Sequence, residues 1–203
     1  MKIISLATLL LVAVLGEAQA EEPSPAELLN KLQQGGYVVY VRHAATDHTQ
    51  RDLDHRHLED CTTQRNLSAL GRRQAQAIGA GFKRHHIPVG AVLSSPWCRA
   101  RETANLSFGR AELVDELGFS LAESRDETRR RSKALRKLLA TTPPEGTNTL
   151  LVSHTSNLKE AAGVWPKPEG VLVVFRPEPG AEPGYRYIGM IQPRSWLEGE
   201  PGP

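Results

Sequence analysis

The stretch Tyr37-Val-Val-Tyr-Val-Arg-His43 decides the fold. Five apolar or aromatic residues in succession, Tyr37 to Val41, read as a buried strand. Arg42 and His43 stand where such a strand leaves its sheet. In open α/β sheets, ligands bind in the crevice beyond the carboxyl ends of the strands. A guanidinium at that place suits an oxyanion, because its planar fork matches phosphate or carboxylate geometry. The adjacent imidazole has the chemistry of a nucleophile or a proton carrier at neutral pH.

Two later segments repeat the arrangement. In Val92-Leu-Ser-Ser-Pro-Trp-Cys-Arg-Ala-Arg-Glu-Thr-Ala104, a short strand from Ala91 to Ser94 runs into a Ser-Pro turn. Pro96 is expected in the first turn of the helix that follows. Arg99 and Thr103 then share one helical face, with Arg99 close to an N-terminus that itself attracts anions. In Thr149-Leu-Leu-Val-Ser-His-Thr-Ser-Asn157, an apolar strand ends at His154 and small polar residues open a helix. Two strand-end histidines and two arginines fit one pocket for a phosphoryl group.

At these residues the chain resembles the histidine phosphatase superfamily, with its phosphoglycerate-mutase-like fold. The opening motif Arg-His-Gly-x-Thr is matched by Arg42-His43-Ala44-Ala45-Thr46. The motif Ser-x-x-x-Arg-Ala-x-x-Thr-Ala is matched by Ser95 to Ala104, and the late histidine by His154-Thr155. Leu67-Ser68-Ala-Leu-Gly71-Arg-Arg-Gln74-Ala75 is similar to the family's Leu-Thr-x-x-Gly-x-x-Gln-Ala. The resemblance runs from Tyr37 to about Val164. Ala44 and Thr155 depart from it, standing where glycines often follow the two histidines. The family's glutamate general acid falls, by the expected register, on Phe119. Glu123 and Glu116 are its neighbours in sequence.

The resemblance implies phosphoryl transfer without a metal or other cofactor. His43 attacks phosphorus, and Arg42, Arg99 and His154 hold the equatorial oxygens, with Thr46 and Thr155 as further substrate-binding groups. The phosphohistidine is then hydrolysed. The leaving group takes its proton from Glu123, the first candidate, from Glu116 or Asp47, or from water. Its partner is a small phosphorylated substrate, an envelope sugar phosphate being one option. A non-catalytic phosphoryl-binding or scaffold protein is the alternative, and a phosphomutase ranks behind both.

Met1 to Ala20 reads as a secretory signal peptide: Lys2, an apolar run from Ile3 to Leu15, then Ala18-Gln19-Ala20. The run is short of the ~20 residues that span a bilayer. The expected location is periplasmic or secreted, without stable membrane insertion after cleavage and with Glu21 as the mature N-terminus. The expected domain covers 21–197, followed by a frayed tail at 198–203. A chain of 203 residues is enough for one domain. Its formal net charge of +2 is too small to imply nucleic-acid binding.

Cys61 and Cys98 are the only cysteines. In an exported protein they are expected to pair, because the inferred site already joins their segments; two separate buried thiols are the other option. His48, Asp52, His55, His57, Asp60 and Cys61 crowd one polar loop, Ala44 to Asn66, with the ligand types for Zn²⁺. The spacing fits no standard metal motif, so no metal is assigned, and a lid over the pocket is the expected use of the loop.

Elsewhere the elements alternate. A capping box at Ser24 to Glu27 starts a helix that ends at Gly35-Gly36. A helix from about Ser68 to His85 turns Leu70, Ala75, Ile78 and Phe82 to the core, leaving His85-His86 exposed. A basic helix, Glu127 to Ala140, buries Leu135, Leu138 and Leu139 and exposes Arg129 to Arg131. Val171 to Phe175 and Tyr185 to Ile191 form a late antiparallel pair. The fold class is α/β: a three-layer sandwich with a mostly parallel central sheet and helices on both faces.

Overall fold

The structure is a computed structural model that describes residues 22–197. The signal-peptide reading of 1–20, the cleavage point at Glu21 and the tail 198–203 lie outside the described residues. Among those described, no helix is long and apolar enough to cross a membrane.

The chain forms helix α1 (Pro25–Gln33), strand β1 (Val38–Arg42), α2 (Ala69–Arg84), β2 (Val89–Ser94), α3 (Cys98–Phe108) and β3 (Glu112–Leu113). Then come α4 (Arg125–Ala140), β4 (Asn148–Ser153), α5 (Thr155–Ala162), β5 (Leu172–Pro177), β6 (Tyr185–Ile191) and α6 (Arg194–Leu197). One six-stranded sheet has the order β3-β2-β4-β1-β5-β6. Strand β1 sits inside it, paired on both edges. Val39 and Val41 face a core with Leu28, Ile78, Phe82, Ala100 and Trp196. Val38 and Tyr40 face the other, with Leu135, Leu139 and Leu158. That two-sided burial is why the run carries no polar alternation.

The sheet is mixed, which corrects the expectation of a mostly parallel one. Strands β3, β2, β4 and β1 are parallel, but β5 is antiparallel to β1 and β6 to β5. After α5 a loop returns the chain to the carboxyl edge of β1. There the Gly170 N–H donates to the His43 carbonyl and the Arg42 N–H to that of Val171. A chain entering at that edge runs back down the sheet, since a parallel entry needs a crossover to the other end. The late hairpin thus closes the sheet beside the Arg-His pair.

Local chemistry explains most element ends and corrects some expectations. Ser24 and Glu27 form the expected capping box of α1. Pro96 lies in the turn before α3 rather than in its first turn: Trp97 is the cap residue, and the Cys98 N–H donates to the Gln64 side chain. The buried stripe of α2 runs through Gly71, Gln74, Ala75 and Ile78, and Leu70 lies off it, 48% exposed. Gly71 in the same helix is required, because a Cβ there would run into the Ala45 carbonyl. The helix therefore presses directly on the chain leaving His43. On α4, Leu138 is only half-buried. Arg131 is largely shielded between Glu123 and Glu127, unlike exposed Arg129 and Arg130.

Candidate active site

Three strand ends deliver the site. Strand β1 brings Arg42 and His43, β4 brings His154, and the β2–α3 connection brings Arg99; β4 lies between β1 and β2. Arg42, His43, Arg99, His154 and Thr155 line one cavity of about 500 Å³. Thr46 does not: its N–H and hydroxyl both donate to Glu169, 3.0 and 2.9 Å away. Glu169 also lies 3.4 Å from Arg42, so Thr46 and Glu169 together seat that guanidinium rather than the ligand.

His43 is buried and tilted against His154, ring centroids 5.4 Å apart. Its Nδ1 lies 2.9 Å from the Ala44 carbonyl oxygen. A carbonyl only accepts, so Nδ1 carries the hydrogen and Nε2 keeps its lone pair. Burial, then the charge of Arg99, holds the His43 pKa well below the usual histidine range. The ring is therefore a neutral nucleophile.

His154 is fixed from both sides. The Tyr40 hydroxyl, rising from β1, donates to the His154 carbonyl at 2.6 Å and accepts its N–H. On the ring, Nε2 lies 2.8 Å from the Ser95 hydroxyl, which already accepts the Trp97 N–H. Among the described residues no other acceptor is found for the Ser95 hydroxyl hydrogen, and with that hydrogen given to Nε2 the His154 ring carries its own on Nδ1. That Nδ1 is buried without a partner. Burial and Arg99 lower the pKa of His154 as well, so in the empty pocket it is neutral.

Arg99 is buried between the rings of Trp97 and Phe119, 4.6 and 5.3 Å from their centroids. One terminal nitrogen donates to Asp52 at 2.9 Å. The Nε atoms of Arg99 and Arg42 and the Thr155 hydroxyl are buried and unpartnered. Buried polar groups in native proteins are nearly always paired. Four such atoms, with His154 Nδ1, on the side chains lining one cavity describe a socket for a ligand rich in acceptor oxygens.

None of the carboxylates proposed as general acid enters the cavity. Glu123, the first candidate, is turned to Arg131 at 2.9 Å and does not line the cavity. Glu116 is paired with Arg130 at 2.9 Å. Asp47 lines a separate groove of about 860 Å³ on the far side of the disulfide, whose cations Arg72 and Arg101 contact Glu102 and the cysteine sulfurs. Phe119 holds the place expected for the acid and packs on the His154 ring, 5.2 Å between centroids. Its loop is tied down by Asn157, which donates to the Gly118 carbonyl and accepts the Ser120 N–H.

The polar loop contributes more than the sequence revealed. Cys61 and Cys98 are bonded, tying the loop to the start of α3. Asp52 holds Arg99, and Arg65 lines the cavity. His57 bonds Asp54, and His48 lies near Arg65 and Glu169. Among the described residues, no three His, Cys, Asp or Glu side chains gather as a metal site. Asp52, Arg65, Ser95, Tyr40 and Glu169 escaped sequence reasoning. Ser95 and Tyr40 stood in quoted stretches and Asp52 in the polar loop, but none was given its role here, because each acts through a tertiary contact.

The fold is thus an α/β sheet flanked by helices, with two histidines and two arginines gathered at its carboxyl edge. The model of the histidine phosphatase superfamily (branch 1) matches residues 38–117 of this chain. Phosphoserine phosphatase from Entamoeba histolytica, solved with 3-phosphoglyceric acid, has the same fold: 13% identity, 77% of this chain and 96% of that chain covered, TM-score 0.55. Mycobacterial glucosyl-3-phosphoglycerate phosphatase, solved with inorganic phosphate, gives 18% identity, coverage of 78% and 96%, and a TM-score of 0.54. Among curated proteins, none matches this chain by sequence.

Proposed function

We propose that the protein is a metal-independent phosphatase that hydrolyses a phosphate ester or related phosphoryl compound through a phosphohistidine at His43. The observation that carries this reading is the bare Nε2 of a neutral His43 beside the unpartnered donors of Arg42, Arg99 and His154. Nε2 forms a bond to phosphorus while the bond to the leaving oxygen breaks, and the leaving group departs with that electron pair. The arginines and His154 Nδ1–H take the charge that spreads over the equatorial oxygens. Water then attacks the phosphohistidine, giving inorganic phosphate and free His43.

With Phe119 where a carboxylic acid would stand, the leaving group takes its proton from water. This favours phosphoryl groups on good leaving groups, such as aryl esters, anhydrides or a phosphorylated imidazole. The leader reading supports work in the cell envelope on an exported substrate. Incubation with para-nitrophenyl phosphate, with and without a chelator, tests the proposal. Chelator-insensitive release of nitrophenol is expected. Vanadate binding without turnover would instead favour the non-catalytic phosphoryl binder.

A further inference from the structure

The wall of the cavity away from the phosphoryl socket has its own chemistry. It is built from Phe119 and Leu121, from Lys159 and Glu160 on α5, and from Trp165 just beyond that helix. Leu121 is 71% exposed and Trp165 44% exposed, two of the few large apolar side chains that reach solvent. Both border this one cavity. Over the Trp165 ring stand two ammonium groups, Lys159 at 4.2 Å and Lys167 at 4.7 Å from its centroid. Neither lysine makes an ion pair among the described residues. Lys159 and Glu160 line the cavity, and Lys167, outside the lining, adds a second positive charge at the Trp165 ring.

Lysines attracted to an aromatic face are held near it yet keep their donors for a ligand. From this wall we infer, resting on the phosphatase reading, the substrate class: a phosphoryl compound whose leaving group carries a second anionic group beside an apolar or flat body. The phosphoryl group occupies the socket of Arg42, Arg99 and His154. The body lies against Phe119, Leu121 and Trp165, and the second anion meets Lys159, with the charge of Lys167 close by at the Trp165 ring. None of these wall residues belongs to the motifs that define the socket.

The test compares matched aryl phosphates: 4-carboxyphenyl phosphate, its uncharged methyl ester, and 1,4-phenylene bisphosphate. The ester has the better leaving group, so chemistry alone favours it over the carboxylate. At low salt, kcat/KM for the carboxylate is expected to exceed that for the ester by about fivefold, the upper value for one exposed ion pair. Salt should erode the ratio. The bisphosphate arm tells whether phosphate or carboxylate is the preferred second anion. Lys159→Ala with Lys167→Ala should bring the ratio close to one, whereas Glu160→Gln should raise it. Turnover with a ratio at or below one in the wild type overturns the inference and leaves the phosphatase reading intact. A high ratio untouched by the lysine pair also overturns it. No turnover of any of the three removes both.

Discussion

Asp52, in the polar loop, holds one terminal nitrogen of buried Arg99 at 2.9 Å, while the Nε of the same guanidinium has no partner. The Arg65 N–H also donates to Asp52, so one carboxylate fixes two residues of the cavity. Arg99 is thereby oriented before any ligand arrives, and its remaining donors need no reorganisation.

Asp52→Ala is expected to cost about 1.5–3 kcal/mol of stability, the range for a hydrogen bond to a charged group whose partner stays buried. It should weaken vanadate inhibition and raise KM more than it lowers kcat. Asp52→Asn keeps an acceptor and should fall between. Urea unfolding and vanadate titration of the three proteins check this; an unchanged vanadate constant in the alanine variant would remove Asp52 from the site.

His43→Ala should abolish turnover while the protein still unfolds cooperatively. Acid-quenched labelling is expected to trap an acid-labile, alkali-stable phosphoenzyme in the wild type alone. Wild-type-like turnover by the variant would sink the nucleophile assignment.

Arg42, Arg99 and His154 should act together. Each alanine substitution is expected to lower kcat/KM by roughly 10²-fold, by analogy with the loss of one oxyanion donor. Double variants should lose less than the product of the singles, because the three share one ligand. Steady-state kinetics of the set decides it, and near-normal activity of Arg99→Ala would refute the clamp.

The two buried histidines predict a pH dependence of stability. Both have folded-state pKa values well below the ordinary 6.5, because burial and Arg99 disfavour the charged ring. The unfolded chain then binds more protons below about pH 6.5, so their contribution is full above that value and is lost as pH falls. The slope approaches about 1.4 kcal/mol per pH unit for each histidine. Urea unfolding from pH 7.5 to 5 should show it, with a shallower slope in His43→Gln. Stability that rises on acidification through that range would contradict it.

The Cys61–Cys98 bond spans 37 residues of sequence. Cross-links of that length stabilise by about 3–4 kcal/mol in the chain-entropy model, less any strain. Cys98 adjoins Arg99, and the loop carries Asp52 and Arg65. Reduction is therefore expected to lower Tm and also raise KM. A non-reducing peptide map followed by kinetics with and without dithiothreitol measures both; two freely alkylatable thiols in native protein would end the idea.

What the sequence by itself determined is local. The uninterrupted run Val38 to Val41 meant burial on both faces, because a half-exposed strand alternates. Arg42, His43 and His154 were legible because each follows an apolar strand, and Arg99 because it opens the helix after one; strand ends point to one edge of a sheet. The capping box at Ser24 and the helix pattern around Gly71 were equally local. Phe119 at the acid's register was legible too, though not what replaces the acid.

Tertiary structure alone decided the rest. Strand direction at β5 depends on the edge to which the loop after α5 returns, and no pattern within β5 encodes it. Glu123 stood near enough in sequence to serve as an acid, but Arg131, nearly two turns into α4, competes for its carboxylate and wins. Thr46 sat inside the motif, yet Glu169, 123 residues later, takes its hydroxyl. Asp52 reads in sequence as one more charge in a charged loop, and only folding brings it to Arg99. Periodicity reports which face of an element is buried; it carries no information about which of several charged side chains will meet across the space between elements.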